Sequence, residues 1–175
     1  MAEAGPPIDP KELRPLYYVA GLCLQACQQF EYDLKYLVWL AATARIAAFT
    51  PEEATDLIEG RNKKTLGQVL SLLRQRGVTF SPGGEADLAR GLDERNRFVH
   101  GFLIEQTESI IDPRLRPGVR REIRAIRKAV RRADSFLRLF IPGLQAATGL
   151  EPATFEAELA AEVRALNGSI SDAES

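Results

Sequence analysis

Histidine and cysteine are scarce in this chain of 175 residues. It contains one histidine, His100, and two cysteines, Cys23 and Cys27. The cysteines lie four residues apart within one apolar helical pattern, which is typical of small buried side chains, and no Cys-x-x-Cys pair occurs. One histidine and two thiols do not readily complete a zinc site. We therefore predict neither a metal site nor a cofactor.

Long apolar runs are also missing. No stretch of eighteen apolar residues occurs, and no apolar segment follows a basic start as it does in a signal peptide. We expect neither membrane insertion nor export, and we place the protein in the cytoplasm.

Strand-favouring runs are absent, whereas Ala, Leu, Arg and Glu dominate. Apolar residues make up 45% and charged residues 27% of the chain, which is typical of a globular protein with the length of one domain. We predict an all-α fold, an up-and-down bundle of four main helices with one or two short ones. The single domain covers residues 10 to 166, between a flexible N-terminus (1–9) and a disordered tail (167–175).

The sequence predicts four helix starts. Asp9, Thr50, Thr65 and Ser81 are each suited to cap a helix, and proline follows three of them. The first helix is expected to run from Leu16 to about residue 47, after a break or kink at Pro15. A later helix, from about residue 119 to 141, is predicted to stop at Pro142.

Charge is unevenly distributed although the net charge is only -1. Residues 114–138 carry an excess of eight positive charges, whereas residues 151–175 are acidic. The basic stretch has two readings, an RNA-binding face and a solvated face balanced by the acidic end. The RNA-binding reading names Arg120, Arg124, Arg127 and Arg131, together with Lys63 and Lys64 from a basic loop.

The most unusual residue is Arg95. On a helix it falls in one row with Leu88, Leu92, Val99 and Phe102, so a guanidinium interrupts an apolar stripe. Burying it unpaired costs several kcal/mol, on the order of the desolvation of one ion, so Arg95 needs an anionic partner or water nearby. Glu31, at the edge of the first helix's buried face, is either that partner or a boundary carboxylate that reaches solvent.

His100 is the side chain whose ordinary pKa lies nearest neutrality, so acid or base chemistry would fall to it. A lone histidine on a helix is more often structural. Uniform α-helical geometry puts Arg95 and His100 about 140° apart, and the length of arginine lets both reach one groove. Asn96, four residues before His100, is placed to hydrogen-bond the imidazole and orient it.

The motif Arg95-Asn96-x-x-x-His100, late in a helix of an all-α domain and followed by Gly101-Phe102, resembles the Arg-x(4–6)-His signature of the HEPN superfamily. The resemblance implies that Arg95 and His100 line a cleft between two protomers of a homodimer. It also implies metal-independent RNA cleavage that leaves a 2',3'-cyclic phosphate, in a toxin or defence system with an antitoxin or another regulatory protein as partner. In one toxin subgroup a modified tyrosine follows the histidine by two positions, where this chain has Phe102.

Two alternatives remain open on sequence. Some HEPN domains are non-catalytic interaction modules that bind RNA, a nucleotide or a partner protein, and this chain fits that description as well. A DNA-binding regulator is disfavoured because no helix-turn-helix is evident.

Aromatic residues of the first helix are suited to stack on bases, but their spacing favours core or interface packing. They are Tyr17, Tyr18, Tyr32, Tyr36 and Trp39.

Overall fold

Helices account for all regular secondary structure in the described part of the chain. The computed structural model describes residues 9–46, 50–58 and 65–149, and no strand occurs among them. The elements are α1 (Pro10–Thr43), α2 (Pro51–Ile58), α3 (Leu66–Gln75), α4 (Pro82–Arg97), a π-helical turn (Phe98–Phe102), α5 (Leu103–Glu105), α6 (Thr107–Ile111), α7 (Arg116–Arg138) and α8 (Ile141–Thr148). The all-α prediction is confirmed, whereas the predictions for the N-terminal eight residues and for residues 150–175 lie outside the described residues.

The predicted capping signals form as expected. The Asp9 carboxylate accepts a hydrogen bond from the Lys11 amide at 2.9 Å, and the Ser81 hydroxyl accepts one from the Gly84 amide at 3.2 Å. Thr50 and Thr65 each form a reciprocal capping box with the residue three positions later. Such bonds satisfy amides that have no partner within the helix, so these residues define where α1 to α4 begin.

Proline had a smaller effect on helix ends than predicted. Helix α1 continues through Pro15 without a break. Helix α7 ends at Arg138, before Pro142, and Pro142 instead lies in the first turn of α8. Proline is tolerated there because amides of the first helical turn have no intrahelical acceptor.

The three long helices α1, α4 and α7 build the core, with α2, α3 and α8 packed against α1. Ion pairs show the directions of α1 and α7. Glu12 pairs with Arg116 near the start of both helices at 2.7 Å, and Asp33 pairs with Arg138 near the end of α7 at 2.7 Å. Helices α1 and α7 are therefore parallel.

Helix α4 runs antiparallel to α7 and lies very close to it. A Cβ built on Gly91 would come within 2.4 Å of the Ala133 Cβ, and one on Gly84 would overlap the Phe136 ring. The two glycines are therefore required by the close approach of the helices rather than by a turn. This contact keeps the apolar face of α7 inward, and its basic residues lie outward except for Arg116, which is buried at the start of the helix.

Two carboxylates meet beneath the end of α7. Asp33 and Asp134 are both buried, and the Arg138 guanidinium contacts Asp33 Oδ2 at 2.7 Å and Asp134 Oδ2 at 3.2 Å. Burial, together with the hydrogen bond and the negative charge of Asp33, raises the pKa of Asp134 to about 6, against the lowering effect of Arg138. Asp134 is therefore protonated below that pH.

The raised pKa of Asp134 makes stability depend on pH. The folded state holds a proton that the unfolded state releases near pH 4, so the free energy of unfolding contributed by this group rises as the pH falls through about 6. We expect Asp134→Asn to stabilise the protein at pH 7.5, by up to about 3 kcal/mol. The gain should shrink by about 1 kcal/mol at pH 5, as measured by urea unfolding. An equal effect at both pH values, or an identical effect of Asn at exposed Asp93, would contradict this.

Candidate active site

Arg95 is held on the bundle surface by two neighbours. Its Nη2 donates to Glu31 Oε2 of α1 at 2.7 Å, and its Nη1 donates to Asn96 Oδ1 at 3.1 Å. Only 17% of the Arg95 side chain is exposed, and its Nε is buried without a hydrogen-bond partner among the described residues. The hypothesis that Glu31 is the anionic partner of Arg95 is therefore confirmed as a contact, although 64 residues separate the two in sequence.

Glu31 also forms an ion pair with a second cation. Lys35 Nζ contacts Glu31 Oε1 at 2.9 Å, one helical turn further along α1. Partial burial opposes ionisation of Glu31, but the hydrogen bonds and charges of Lys35 and Arg95 outweigh it, so the pKa of Glu31 lies below its ordinary value. The ionised trio carries a net charge of +1. The i, i+4 spacing of Glu31 and Lys35 was the signal available for finding this pair.

His100 lies on the π-helical turn that follows α4, and it is exposed to solvent. The His100 imidazole forms no hydrogen bond or ion pair with any residue in the described part of the chain. Asn96 turns its Oδ1 toward Arg95 rather than toward the imidazole. The residue that sequence assigned to orient His100 thus positions Arg95 in this structure.

The π-helical turn changes the relation between Arg95 and His100. Each residue of such a turn advances less around the helix axis than in an α-helix, so the separation of the two side chains is smaller than the about 140° of uniform α-helical geometry. The turn also alters the predicted apolar row. Phe98 and Phe102 are buried, whereas Val99 is 39% exposed.

Three exposed apolar residues lie within four positions of His100 in the sequence. Val99, Leu103 and Ile104 all reach solvent, and Ile104 is 78% exposed. They belong to the π-helical turn and to α5, which are short elements at the end of α4. Exposed apolar residues clustered beside a candidate reactive group are typical of an interface, since monomers rarely leave such patches uncovered.

The predicted RNA-binding arginines lie together on the outer face of α7. Arg124, Arg127 and Arg131 line a groove of about 470 Å³ with Lys128, Arg132 and Ser135. Arg120 lines a neighbouring groove with Arg124 and Arg127. Arg95, Asn96 and His100 line neither groove, so the basic face and the Arg95 cluster are distinct surfaces. Lys63 and Lys64 lie outside the described residues.

Most of these cations lack a counter-ion. Arg120, Arg124, Arg127, Lys128 and Arg131 form no ion pair with any residue in the described ranges, whereas Arg132 pairs with Asp87 at 2.8 Å. Like charges crowded on one helix face repel each other, and an anion bound across them removes that repulsion. The arrangement is suited to contact several phosphates.

Cys23 and Cys27 are buried free thiols, in line with a packing role. No three His, Cys, Asp or Glu side chains within residues 9–46, 50–58 and 65–149 lie close enough to hold a metal ion, and no helix in those ranges is both long and apolar enough to cross a membrane.

The sequence matches no protein-family model and no curated protein, and the structure matches no solved structure.

A double-mutant cycle measures the coupling energy between Glu31 and Arg95. We expect Glu31→Gln, Arg95→Gln and the double variant to give a coupling energy of about 1 kcal/mol in urea unfolding, because the pair is charge-assisted and partly shielded from solvent. The same cycle between Glu31 and exposed Arg90 is the control and should give no coupling. A Glu31–Arg95 coupling indistinguishable from that control would show that the ion pair does not stabilise the fold.

Proposed function

We propose that this protein is a metal-independent endoribonuclease of the HEPN type, with an up-and-down HEPN-like bundle and a site shared by two protomers. It cleaves RNA to 2',3'-cyclic phosphate ends and acts in a toxin or defence system, where an antitoxin or another regulatory protein controls it. The observation that carries the proposal is an exposed His100 on a π-helical turn directly after an anchored, partly buried Arg95. π-Helical turns within α-helices occur frequently at functional sites.

Arg95 and His100 supply complementary parts of the reaction. The 2'-hydroxyl attacks the adjacent phosphorus while the bond to the 5'-oxygen breaks, which yields the cyclic phosphate and a 5'-hydroxyl. Arg95, kept in place by Glu31 and Asn96, stabilises the negative charge that builds on the phosphate oxygens. The His100 side chains of the two protomers transfer the protons, one taking the proton of the attacking 2'-hydroxyl and the other giving a proton to the leaving 5'-oxygen.

The proton transfers favour a dimer. One histidine cannot remove a proton from the nucleophile and supply one to the leaving group in the same step, whereas two histidines of a symmetric dimer divide these roles. The exposed side chains of Val99, Leu103 and Ile104 provide an apolar surface beside His100 for that contact. A second copy of the chain is therefore the partner that both the chemistry and the surface favour.

The basic face of α7 supports RNA as the substrate. Arg120, Arg124, Arg127 and Arg131 contribute salt-sensitive phosphate contacts with little base specificity. These contacts hold the strand, and the chemistry takes place at Arg95 and His100. Lys63 and Lys64 are assigned the same binding role by the sequence alone.

One observation favours a second candidate function, a non-catalytic HEPN module that binds RNA, a nucleotide or a partner protein. Arg95 already donates hydrogen bonds from Nη2 to Glu31 Oε2 at 2.7 Å and from Nη1 to Asn96 Oδ1. A guanidinium engaged in this way has fewer donors left for a phosphate. Lys35 offsets part of that loss because it keeps the net charge of the trio positive.

Cleavage of RNA separates the two candidates. We expect the protein to cleave single-stranded RNA in EDTA, to leave cyclic phosphate ends, and to lose at least about 100-fold in rate on His100→Ala, the usual contribution of one general acid or base. His100 is exposed, so the free energy of unfolding of the variant should lie within about 0.5 kcal/mol of the wild-type value. Intact RNA across varied substrates, or full activity in the His100→Ala variant, would exclude the nuclease.

Dimerisation is testable through the apolar surface beside His100. We expect a dimer by sedimentation velocity at micromolar concentration, and a monomer with reduced cleavage for Ile104→Glu, because a charge on that surface cannot be desolvated cheaply. Leu139→Glu is the matched control, since Leu139 is about as exposed as Ile104 but lies just beyond the far end of α7. A wild-type monomer at these concentrations would contradict a shared site.

A further inference from the structure

A groove between α1 and α7 combines an aromatic ring with arginines. It has a volume of about 320 Å³, and its walls come from Pro15, Tyr18, Val19 and Leu22 of α1 and from Arg120, Arg124 and Arg127 of α7. The two helices run parallel, so the aromatic and basic residues face each other along the groove. No acidic residue lines it.

The arginines of this groove are available to a ligand. None of the three forms an ion pair within the described part of the chain, and Arg127 Nε is buried without a hydrogen-bond partner there. Arg124 and Arg127 also line the adjoining basic groove, which extends to Arg131. The positive track therefore continues for about 16 Å along α7, from Arg120 to Arg131.

Tyr18 is unusual for an aromatic residue on a core helix. Its side chain is 69% exposed, although its neighbour Val19 is buried. The sequence favoured packing as the use of this tyrosine, and the structure instead leaves its ring at the edge of the basic groove. Helix α1 therefore presents one largely exposed aromatic ring at the edge of this groove.

We propose that this groove binds single-stranded nucleic acid, with Arg120, Arg124 and Arg127 on successive phosphates and Tyr18 stacked on a base. A positively charged groove beside an aromatic platform is the arrangement by which proteins hold single strands. In a duplex the bases already stack on each other, so Tyr18 finds no free face, although the arginines still reach phosphates. The assignment of RNA as the natural ligand rests on the proposed function, whereas the phosphate and base contacts do not depend on the sugar.

DNA oligonucleotides test the groove separately from catalysis. They lack the 2'-hydroxyl that the proposed cleavage needs, so the wild-type protein is usable without inactivation. We would measure fluorescence anisotropy with a labelled single strand of about 12 nucleotides, within the usual site size, and with the blunt duplex formed with its complement. Thermal unfolding followed by circular dichroism would verify that each variant is folded.

Tyr18→Ala should weaken single-strand binding about tenfold and leave duplex binding within about twofold, because only the stacking contact is lost. Tyr18→Phe should restore single-strand binding, since the ring is kept. Tyr17→Ala is the matched control, because Tyr17 is 59% exposed but does not line the groove. Unchanged single-strand binding by Tyr18→Ala, or an equal loss for the single strand and the duplex, would overturn the proposal.

Two arginine substitutions on α7, one inside the groove and one outside it, test the phosphate contacts. Arg124→Gln should weaken both ligands and make the dependence of affinity on salt less steep, whereas Arg121→Gln, exposed on the same helix but outside the groove, should have a smaller effect. Equal effects of the two variants would mean that general charge, and not the groove, binds the strand. Strand binding that depends on Tyr18 without any RNA cleavage would support the groove and reject the nuclease.

Discussion

The ion pair between Glu31 and Arg95 connects the longest helix to the segment that carries the only histidine. An arginine keeps its charge wherever it lies, so one placed in an apolar row destabilises the fold unless an anion meets it. Glu31 meets that requirement from α1, and Lys35 and Asn96 complete the surroundings. The same contact sets the direction of the guanidinium and leaves a net positive charge near the bundle surface. One interaction thus both links α1 to α4 and positions the guanidinium for the candidate chemistry.

A second constraint comes from the contact between α4 and α7. Gly91 and Ala133 bring these helices so close that larger side chains do not fit between them. Arg116 is buried at the start of α7, but because the inner face beyond it is filled in this way by apolar packing, the later arginines lie on the outer face. They line two adjoining grooves there, and one of these is bordered by Tyr18. The basic surface is therefore a consequence of core packing as much as of composition.

The two surfaces suit two different tasks. The Arg95 cluster combines a fixed cation with an exposed histidine over a short distance along the chain, which is suited to act on one phosphate group. The α7 grooves spread unpaired cations along a helix, which is suited to hold several phosphates. Nearby Val99, Leu103 and Ile104 offer a route for a second copy to approach His100. Under the proposed function, the strand would be held on one face and cut where two protomers meet.

Much of the architecture was determined by the sequence alone, because it depends on local chemistry. Capping residues such as Thr65 and Ser81 act on amides within their own first turn, so the helix starts were predictable, and the charge of Arg95 showed that a partner was needed. Only the tertiary structure decided which carboxylate, 64 residues away, became that partner. The π-helical turn and the exposure of Tyr18 were likewise beyond the sequence. The exposure of Tyr18 depends on how α1 packs against α7, and a periodic pattern carries no record of contacts between such distant segments.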